Sequence, residues 1–251
     1  MTHNLCATFL DWLTENKEAY AAGPGLFCTA HIILMVAMAV VCAALVVVAF
    51  KFPKFAKKFG AVLAIAMVVF RLARMITMLA SGDYTFVEIL PWHLCHITCF
   101  LLAIIYFVKP TKYISLPILC MAILGGTMTF IFGDYYYINT VSFYMLESIF
   151  LHFCLNAVVI CYIASRKPKY NWVDILLVPV WLGVMCGWSS LGNFCNPGHN
   201  YMYIQESGLP FTFFPNAHFL WDYLIIGLIL IALCALAYFT FYIIKKHKQK
   251  Q

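Results

Sequence analysis

The chain has 251 residues, of which 64% are hydrophobic and only 10% are charged, and its mean hydropathy is +0.89. About a quarter of the residues in a soluble globular domain are charged, so this composition excludes that class and predicts a polytopic membrane protein. The formal net charge of +6 comes from lysines and arginines in short loops, where such residues set membrane topology. It is therefore not a sign of nucleic-acid binding.

Seven apolar stretches are long enough, or nearly so, to cross about 30 Å of hydrocarbon as helices. Residues 1–25, which precede them, are polar and lack the pattern of a cleavable signal peptide. We therefore predict an all-α fold, a single bundle of seven transmembrane helices, with no second domain and no internal repeat. The predicted spans lie near residues 26–50, 59–80, 88–108, 113–133, 141–164, 172–191 and 217–244.

The loops between these spans alternate in charge. Thirteen of the sixteen lysines and arginines lie in the first, third and fifth loops and in the C-terminal tail. Most acidic residues outside the spans lie in the remaining loops and the N-terminal segment. The positive-inside rule thus predicts a multi-pass protein of the cell membrane with its N-terminus outside and its C-terminus in the cytoplasm.

Ionisable residues inside the spans are candidates for function, because burying each one costs a few kcal/mol or more. Arg71 and Arg74 are three residues apart and therefore share one helix face. Counted along their helices, Arg74, Cys95 and His152 all fall in the outer half of the bilayer, which predicts a polar pocket there. The other polar residues that we single out in the spans are His93, His96, Glu147, Asn156, His218 and Asp222.

One chemistry that fits this pocket is nucleophilic catalysis by a cysteine. The thiol of Cys95 becomes nucleophilic when a histidine or a nearby cation lowers its pKa, and His152 or His93 could act as the base. On one helix His93 and Cys95 would point about 200° apart, which favours His152. Arg74 could then hold a phosphate group.

Three other interpretations stay open. A zinc site would use imidazole and thiolate ligands, although the spacing in "HLCH" does not match the common patterns. Transport would use the same groups as a proton or anion path, although no inverted repeat is visible. Arg71 and Arg74 could also pair with Glu147 or Asp222 only to hold the bundle together.

The long loop between the last two predicted spans and the cysteines are two further features of the sequence. The predicted loop between the last two spans, "GNFCNPGHNYMYIQESGLPFTFFPNAH", has the length of a lid or binding loop, or it forms an aromatic belt at the membrane interface. Most of the eleven cysteines lie in apolar segments, so at most one external disulfide is expected, and whether Cys28 and Cys195 form it is open.

The segments "LPWHLCHI", "FLHFCLN" and "GHNYMYIQESGLP" resemble the YwaF family of seven-helix bacterial membrane proteins. That family is similar to a eukaryotic heptahelical acyltransferase that moves fatty acyl groups between glycerophospholipids. The resemblance implies that Cys95 is the acyl-accepting nucleophile and His152 its base, with His93 in the same motif as Cys95. It further implies that Asn200 and Tyr201 line a lipid entrance. His96 is not part of the pattern.

We therefore predict a membrane-embedded, lipid-directed acyltransferase with a phospholipid or other lipid as substrate. No metal and no soluble cofactor is expected, and the oligomeric state is left open. The alternative is a non-catalytic transporter or lipid-binding protein that uses the same polar cluster. The candidate catalytic residues are Cys95, His152 and His93, and the candidate substrate-binding residues are Arg71, Arg74, Asn156, Asn200 and Tyr201.

Overall fold

The computed structural model describes residues 27–82, 84–108, 110–132 and 143–205, together with residue 225. The predicted span 217–244, with His218 and Asp222, lies outside the continuous described ranges. The chain forms two compact units, Met1–Met202 and Tyr203–Gln251, and the contacts given below lie within the first. The described helices are α1 (Thr29–Lys51), α2 (Pro53–Ser81), α3 (Leu94–Phe107), α4 (Lys112–Phe132), α5 (Phe143–Arg166), α6 (Trp172–Ile175) and α7 (Leu177–Cys195), followed by a 3-10 turn at Tyr201–Tyr203.

Four of these helices, α1, α2, α4 and α5, are long and apolar enough to cross a membrane. The helix α3 is apolar but shorter. The described residues form helices and no strand. The all-α, multi-pass membrane class is therefore confirmed, whereas the count of seven spans and the orientation stay predictions.

Proline and glycine set the ends of α1 and α2. Phe52 ends α1 because a residue before proline is disfavoured in helical conformation, and Pro53 opens α2 at a position where its missing N–H costs nothing. The helix α2 ends at Gly82, whose φ of 78° is left-handed, a conformation that favours glycine. The predicted span 59–80 thus lies within a helix of 29 residues.

The predicted helix over 88–108 is wrong at its start, because α3 begins only at Leu94. Pro91 disfavours helical conformation in the residue before it, and His93 is the extended N-cap residue of α3. Before this point Thr85 and Glu88 bond reciprocally: Thr85 N–H donates to Glu88 Oε2 over 2.6 Å, and Glu88 N–H donates to Thr85 Oγ1 over 3.3 Å. His93 is therefore not a helical residue, and the predicted 200° divergence from Cys95 does not apply.

The predicted span 172–191 is likewise broken, at Leu176, into α6 and α7. In one continuous helix the ring of Pro179 would clash with the carbonyl of Ile175 four residues earlier. In the structure Pro179 is the third residue of α7, in the first turn, where a missing N–H is tolerated.

Antiparallel packing of α2 on α5 places the site. Gly60, near the start of α2, lies against Cys161 near the end of α5, because a Cβ on Gly60 would come within 2.6 Å of the Cys161 Cβ. Arg74, near the end of α2, bonds to Glu147 near the start of α5. The helix α5 is buried along most of its length, whereas α1 buries only His31, Leu45 and Ala49. The bundle is therefore centred on α5.

Candidate functional site

A polar cavity of about 260 Å³ lies where α2 ends and where α3 and α5 begin. Its wall contains two arginines, three histidines and three tyrosines, with Glu88 as its acidic residue. The polar residues of the wall include Arg71, Arg74, His93, His96, His199 and Tyr201.

Glu147 is the buried counter-ion of both arginines. Arg74 Nη1 donates to Glu147 Oε2 over 3.0 Å, and Arg71 Nη1 lies 3.8 Å from Glu147 Oε1. The Arg74 guanidinium also lies 3.5 Å from the centre of the Tyr144 ring, a cation–π contact. The pairing with Glu147 that was left open is thus observed, and the three ionised groups sum to one positive charge.

Arg71 also determines the tautomer of His96. Arg71 Nη2 lies 3.1 Å from His96 Nδ1, and a guanidinium can only donate hydrogen bonds. The Nδ1 atom must therefore accept, which places the proton of the neutral imidazole on Nε2. His96 consequently offers an N–H donor, and its side chain is part of the cavity wall.

His93 links the start of α3 to the loop after α7. The Met202 N–H donates to His93 Nδ1 over 3.4 Å. The edge of the His93 ring contacts His96 and Tyr201, with ring centres 5.2 and 5.1 Å away. His93 therefore lines the cavity from a position just before α3.

Tyr201 is held over the cavity by its own backbone. Asn193 Oδ1 accepts from Tyr201 N–H over 2.6 Å, and Asn193 Nδ2 donates to the Tyr201 carbonyl over 3.3 Å. The Tyr201 ring stacks on His199 with an interplanar angle of 3°. Its buried Oη has no hydrogen-bond partner among the described residues. Burial, followed by the charge of Glu88, raises the pKa of Tyr201 to about 12, so the hydroxyl is a donor at neutral pH.

Glu88 and His199 lie at the exposed side of the cavity. Glu88 Oε1 is 3.3 Å from His199 Nε2, and their side chains are 24% and 38% exposed. The pKa of Glu88 lies below its ordinary value, first because the Thr85 N–H donates to the carboxylate and to a lesser degree because of His199. This contact joins the turn before α3 to the loop after α7.

The helix α7, which precedes the segment with His199 and Tyr201, packs against Trp92. A Cβ on Gly192 of α7 would come within 2.6 Å of the Trp92 ring, so only glycine permits this close approach. Ser189 of α7 donates to the Trp92 carbonyl, and Trp188 Nε1 donates to the Pro91 carbonyl over 2.9 Å. These contacts fix the segment that precedes α3 against α7.

His152 lies in α5 with one ring nitrogen unused. Its Nδ1 is 2.6 Å from the Ser148 carbonyl, which can only accept, so Nδ1 carries the proton and Nε2 is the basic atom. Nε2 is buried and has no hydrogen-bond partner among the described residues. The ring meets Phe130 edge to face.

Asn156, predicted to bind substrate, bridges two helices. Its Nδ2 donates to the His152 carbonyl over 3.1 Å, and its Oδ1 accepts from Thr127 over 3.3 Å. A Cβ on Gly126 of α4 would come within 2.5 Å of Asn156 Nδ2. Neither Asn156 nor Asn200 is among the described residues that line the cavity.

Cys95 is the second residue of α3, and not several residues inside a helix as predicted. It backs onto α4, where a Cβ on Gly125 would lie 3.6 Å from the Cys95 Cβ. Within the described part of the chain no hydrogen bond joins Cys95 to His152, and neither residue lines the cavity. The Cys–His pair therefore stays a prediction.

Two other expectations concern the cysteines and metal ligands. Cys28 and Cys195 are both free thiols, so they do not form the bridge that was left open. No group of three or more His, Cys, Asp or Glu side chains is placed to hold a metal ion in the ranges that the structure describes.

Sequence reasoning passed over several residues that build or support this region. His31 is a histidine inside a predicted span, and the rule that selected His152 selects it as well. Tyr144 lies three residues before Glu147, on the same helix face. Glu88 follows Thr85 in the pattern of a capping box. His199 carries no comparable signal, because only the folded loop brings it to Glu88.

Comparison with known proteins assigns the chain to a family. The model of the TMEM164 family matches residues 26–248. No curated protein and no solved structure matches the chain. The resemblance to the YwaF family and to a eukaryotic acyltransferase stays a prediction. Because the match covers most of its length, the chain belongs to the TMEM164 family of membrane proteins.

Proposed function

We propose that this protein is a membrane-embedded, lipid-directed acyltransferase that carries the acyl group as a thioester on Cys95. His152 Nε2 would take the proton from the thiol, and the thiolate would attack an ester carbonyl of a phospholipid. The departing lysophospholipid oxygen would regain that proton from His152. An acceptor hydroxyl would then attack the thioester, take the acyl group and give its proton, through His152, to the Cys95 thiolate. Neither step requires an oxidant or a cofactor.

The observation that supports this proposal is the state of His152. Its Nδ1 donates to the Ser148 carbonyl over 2.6 Å, and its buried Nε2 is unpartnered in the described chain. A carbonyl that fixes one nitrogen as a donor leaves the other as a base, which is how general-base histidines are oriented. A buried polar atom without a partner is costly, and a catalytic role would account for it.

The cavity supports a lipid as the substrate. Its volume of about 260 Å³ lies below the range of roughly 300–1,000 Å³ for small-molecule sites. It can therefore take a small polar group, while acyl chains would stay among the apolar helices. In the sequence-based prediction Arg74 contacts the headgroup phosphate.

A second candidate is a lipid-binding or transport protein without catalysis. It is favoured by one observation: the described cavity wall contains Arg71, Arg74, His93 and His96 but neither Cys95 nor His152. In that case Cys95→Ser would be nearly silent, whereas Arg74→Ala would impair function.

The test is to isolate the protein from membranes and search Cys95 for a hydroxylamine-labile acyl group by intact mass and peptide mapping. The adduct should be absent from Cys95→Ser and altered in His152→Ala. His31→Ala is the matched control, because His31 also bonds to a backbone carbonyl but its second ring nitrogen already accepts from Phe27 N–H. Bare thiol in every sample, with identical lipid profiles after incubation with phospholipid, would refute acyl transfer.

A further inference from the structure

We propose that the cavity binds a phosphoryl oxyanion, which Arg71, His96 and Tyr201 hold at the N-terminus of α3. This inference deepens the proposed function, because it takes the anion to be the phosphate of the lipid headgroup. The binding itself needs no turnover and can therefore be measured separately from acyl transfer.

The charge of the cluster calls for an anion. Arg71, Arg74 and Glu147 are 3%, 7% and 1% exposed, and guanidinium groups stay protonated in proteins. In the buried part of the cluster that the structure describes, two guanidinium groups therefore face the carboxylate of Glu147, while the second carboxylate of the cavity, Glu88, lies at its exposed side against His199. Charge-assisted hydrogen bonds from a guanidinium group to an anion are strong, so an anion bound to Arg71 in the cavity would stabilise the folded protein.

Arg71, rather than Arg74, has N–H groups that are available to bind an anion. Arg71 Nη2 is used by His96, while its Nε and Nη1 have no hydrogen-bond partner within the described residues. Arg74 in contrast is engaged by Glu147 at 3.0 Å and by the Tyr144 ring. The sequence-based choice of Arg74 for the phosphate therefore moves to Arg71.

Two neutral donors complement Arg71. The Arg71 contact fixes the His96 proton on Nε2, and Tyr201 has a buried hydroxyl that lacks a partner in the described chain. His96 and Tyr201 are connected through the ring of His93. The centre of that ring lies 5.2 Å from the ring centre of His96 and 5.1 Å from that of Tyr201. Arg71, His96 and Tyr201 therefore line the same small cavity.

The start of α3 adds to the same wall. No side chain caps its N-terminus, where backbone N–H groups and the helix dipole favour negative charge. The two histidines that bracket this terminus, His93 and His96, both line the cavity. This feature has weight here because the same cavity is lined by Arg71 and Tyr201, whose buried donors have no hydrogen-bond partner among the described residues.

The experiment measures binding to purified protein in detergent by calorimetry. The probes are dihexanoylphosphatidylglycerol, inorganic phosphate and dihexanoylglycerol, the last having no phosphate. We expect the phosphodiester lipid to bind and the phosphate-free glyceride to bind at least about tenfold more weakly, since a hydrogen bond to a charged group is worth about 1.5–3 kcal/mol. Inorganic phosphate that binds with the same dependence on Tyr201 would indicate a free anion as the natural ligand, and its failure to bind would indicate the lipid headgroup.

The critical variant is Tyr201→Phe, with His96→Leu as the second. The Tyr201 hydroxyl has no described partner, so its removal should leave the melting temperature of ligand-free protein unchanged while binding weakens about tenfold. The matched control is Tyr106→Phe, because the Tyr106 hydroxyl donates to the Ala56 and Lys57 carbonyls at the opposite end of α2. That control should lower stability and leave binding intact.

The proposal is overturned if Tyr201→Phe and His96→Leu both bind the phosphodiester as the parent protein does, or if the glyceride binds equally well. Cys95→Ser separates this failure from that of the proposed function. If Cys95→Ser binds the phosphodiester normally and the parent protein carries no acyl group on Cys95, acyl transfer is refuted while the oxyanion site is still supported.

Discussion

His31 and His152 are both buried histidines in apolar helices, but their ring nitrogens are used differently. His31 accepts from the Phe27 N–H and contacts the Phe130 carbonyl over 2.7 Å, so both of its nitrogens are occupied. His152 has a partner for Nδ1 only, among the residues described. A satisfied histidine stabilises a helix contact, whereas an unsatisfied one is a candidate for chemistry.

Glu88 gives a pH dependence with a definite sign. Its pKa in the folded protein lies below the ordinary value of 4.5, so the contribution of Glu88 to stability is present above pH 4.5 and is lost as the pH falls through the folded pKa. We expect Glu88→Gln to melt at a lower temperature than the parent protein at neutral pH. This difference should shrink to zero in acid.

The measurement is the melting temperature of both proteins in detergent between about pH 7 and pH 3, a range that brackets the titration of a carboxylate. The other carboxylates titrate in both proteins, so their effect on the melting temperature cancels in the difference. A constant difference across the whole range would show that the Glu88 charge does not stabilise the fold.

At the scale of helices, glycine controls how closely α4 approaches its neighbours. Gly126 faces Asn156 and the His152 carbonyl, which a Cβ would meet at 2.5 and 3.0 Å. Adjacent Gly125 faces Cys95, at an ordinary contact distance of 3.6 Å. Alanine should therefore be tolerated at Gly125 but not at Gly126.

We expect Gly126→Ala to destabilise the protein by about 1–3 kcal/mol, because a tightly packed contact must open. Gly125→Ala should be neutral or gain up to about 1 kcal/mol from helix propensity. Unfolding in detergent with added denaturant measures both changes. Equal effects of the two substitutions would mean that α4 does not pack on α5 as described.

At the scale of the whole molecule, the cavity and the basic residues at the helix ends lie at opposite ends of the first unit. Lys51, Lys54 and Lys57 lie at the corner between α1 and α2, and Arg166 ends α5. The cavity lies at the other ends of α2 and α5. If the basic end is cytoplasmic, the cavity opens toward the outer side of the membrane.

This orientation predicts which thiols a membrane-impermeant maleimide labels in intact cells. Cys195 is exposed and ends α7, directly before the segment that carries His199 and Tyr201, so it should be labelled without permeabilisation. A cysteine placed by Lys54→Cys at the basic corner should react only after the membrane is opened. Peptide mapping identifies the labelled sites, and the reverse pattern would invert the topology.

The sequence by itself determined the membrane class, the alternation of charge and the middle of each described span, because hydropathy is a local property that needs no partner. It also placed Arg71 and Arg74 on one face and named Glu147 and His152 as buried polar residues. Its errors were at Pro91 and Pro179, where a proline ends or restarts a helix inside an apolar run.

Only the tertiary structure decided which groups meet. The choice of Glu147 as counter-ion, the Nε2–H tautomer of His96 and the unused Nε2 of His152 all follow from contacts with atoms that the local sequence does not specify. The approach of His199 to Glu88 spans 111 residues of chain. Such partners depend on helix packing and on loop conformation, since an apolar run specifies a helix but not the neighbour that its few polar atoms will contact.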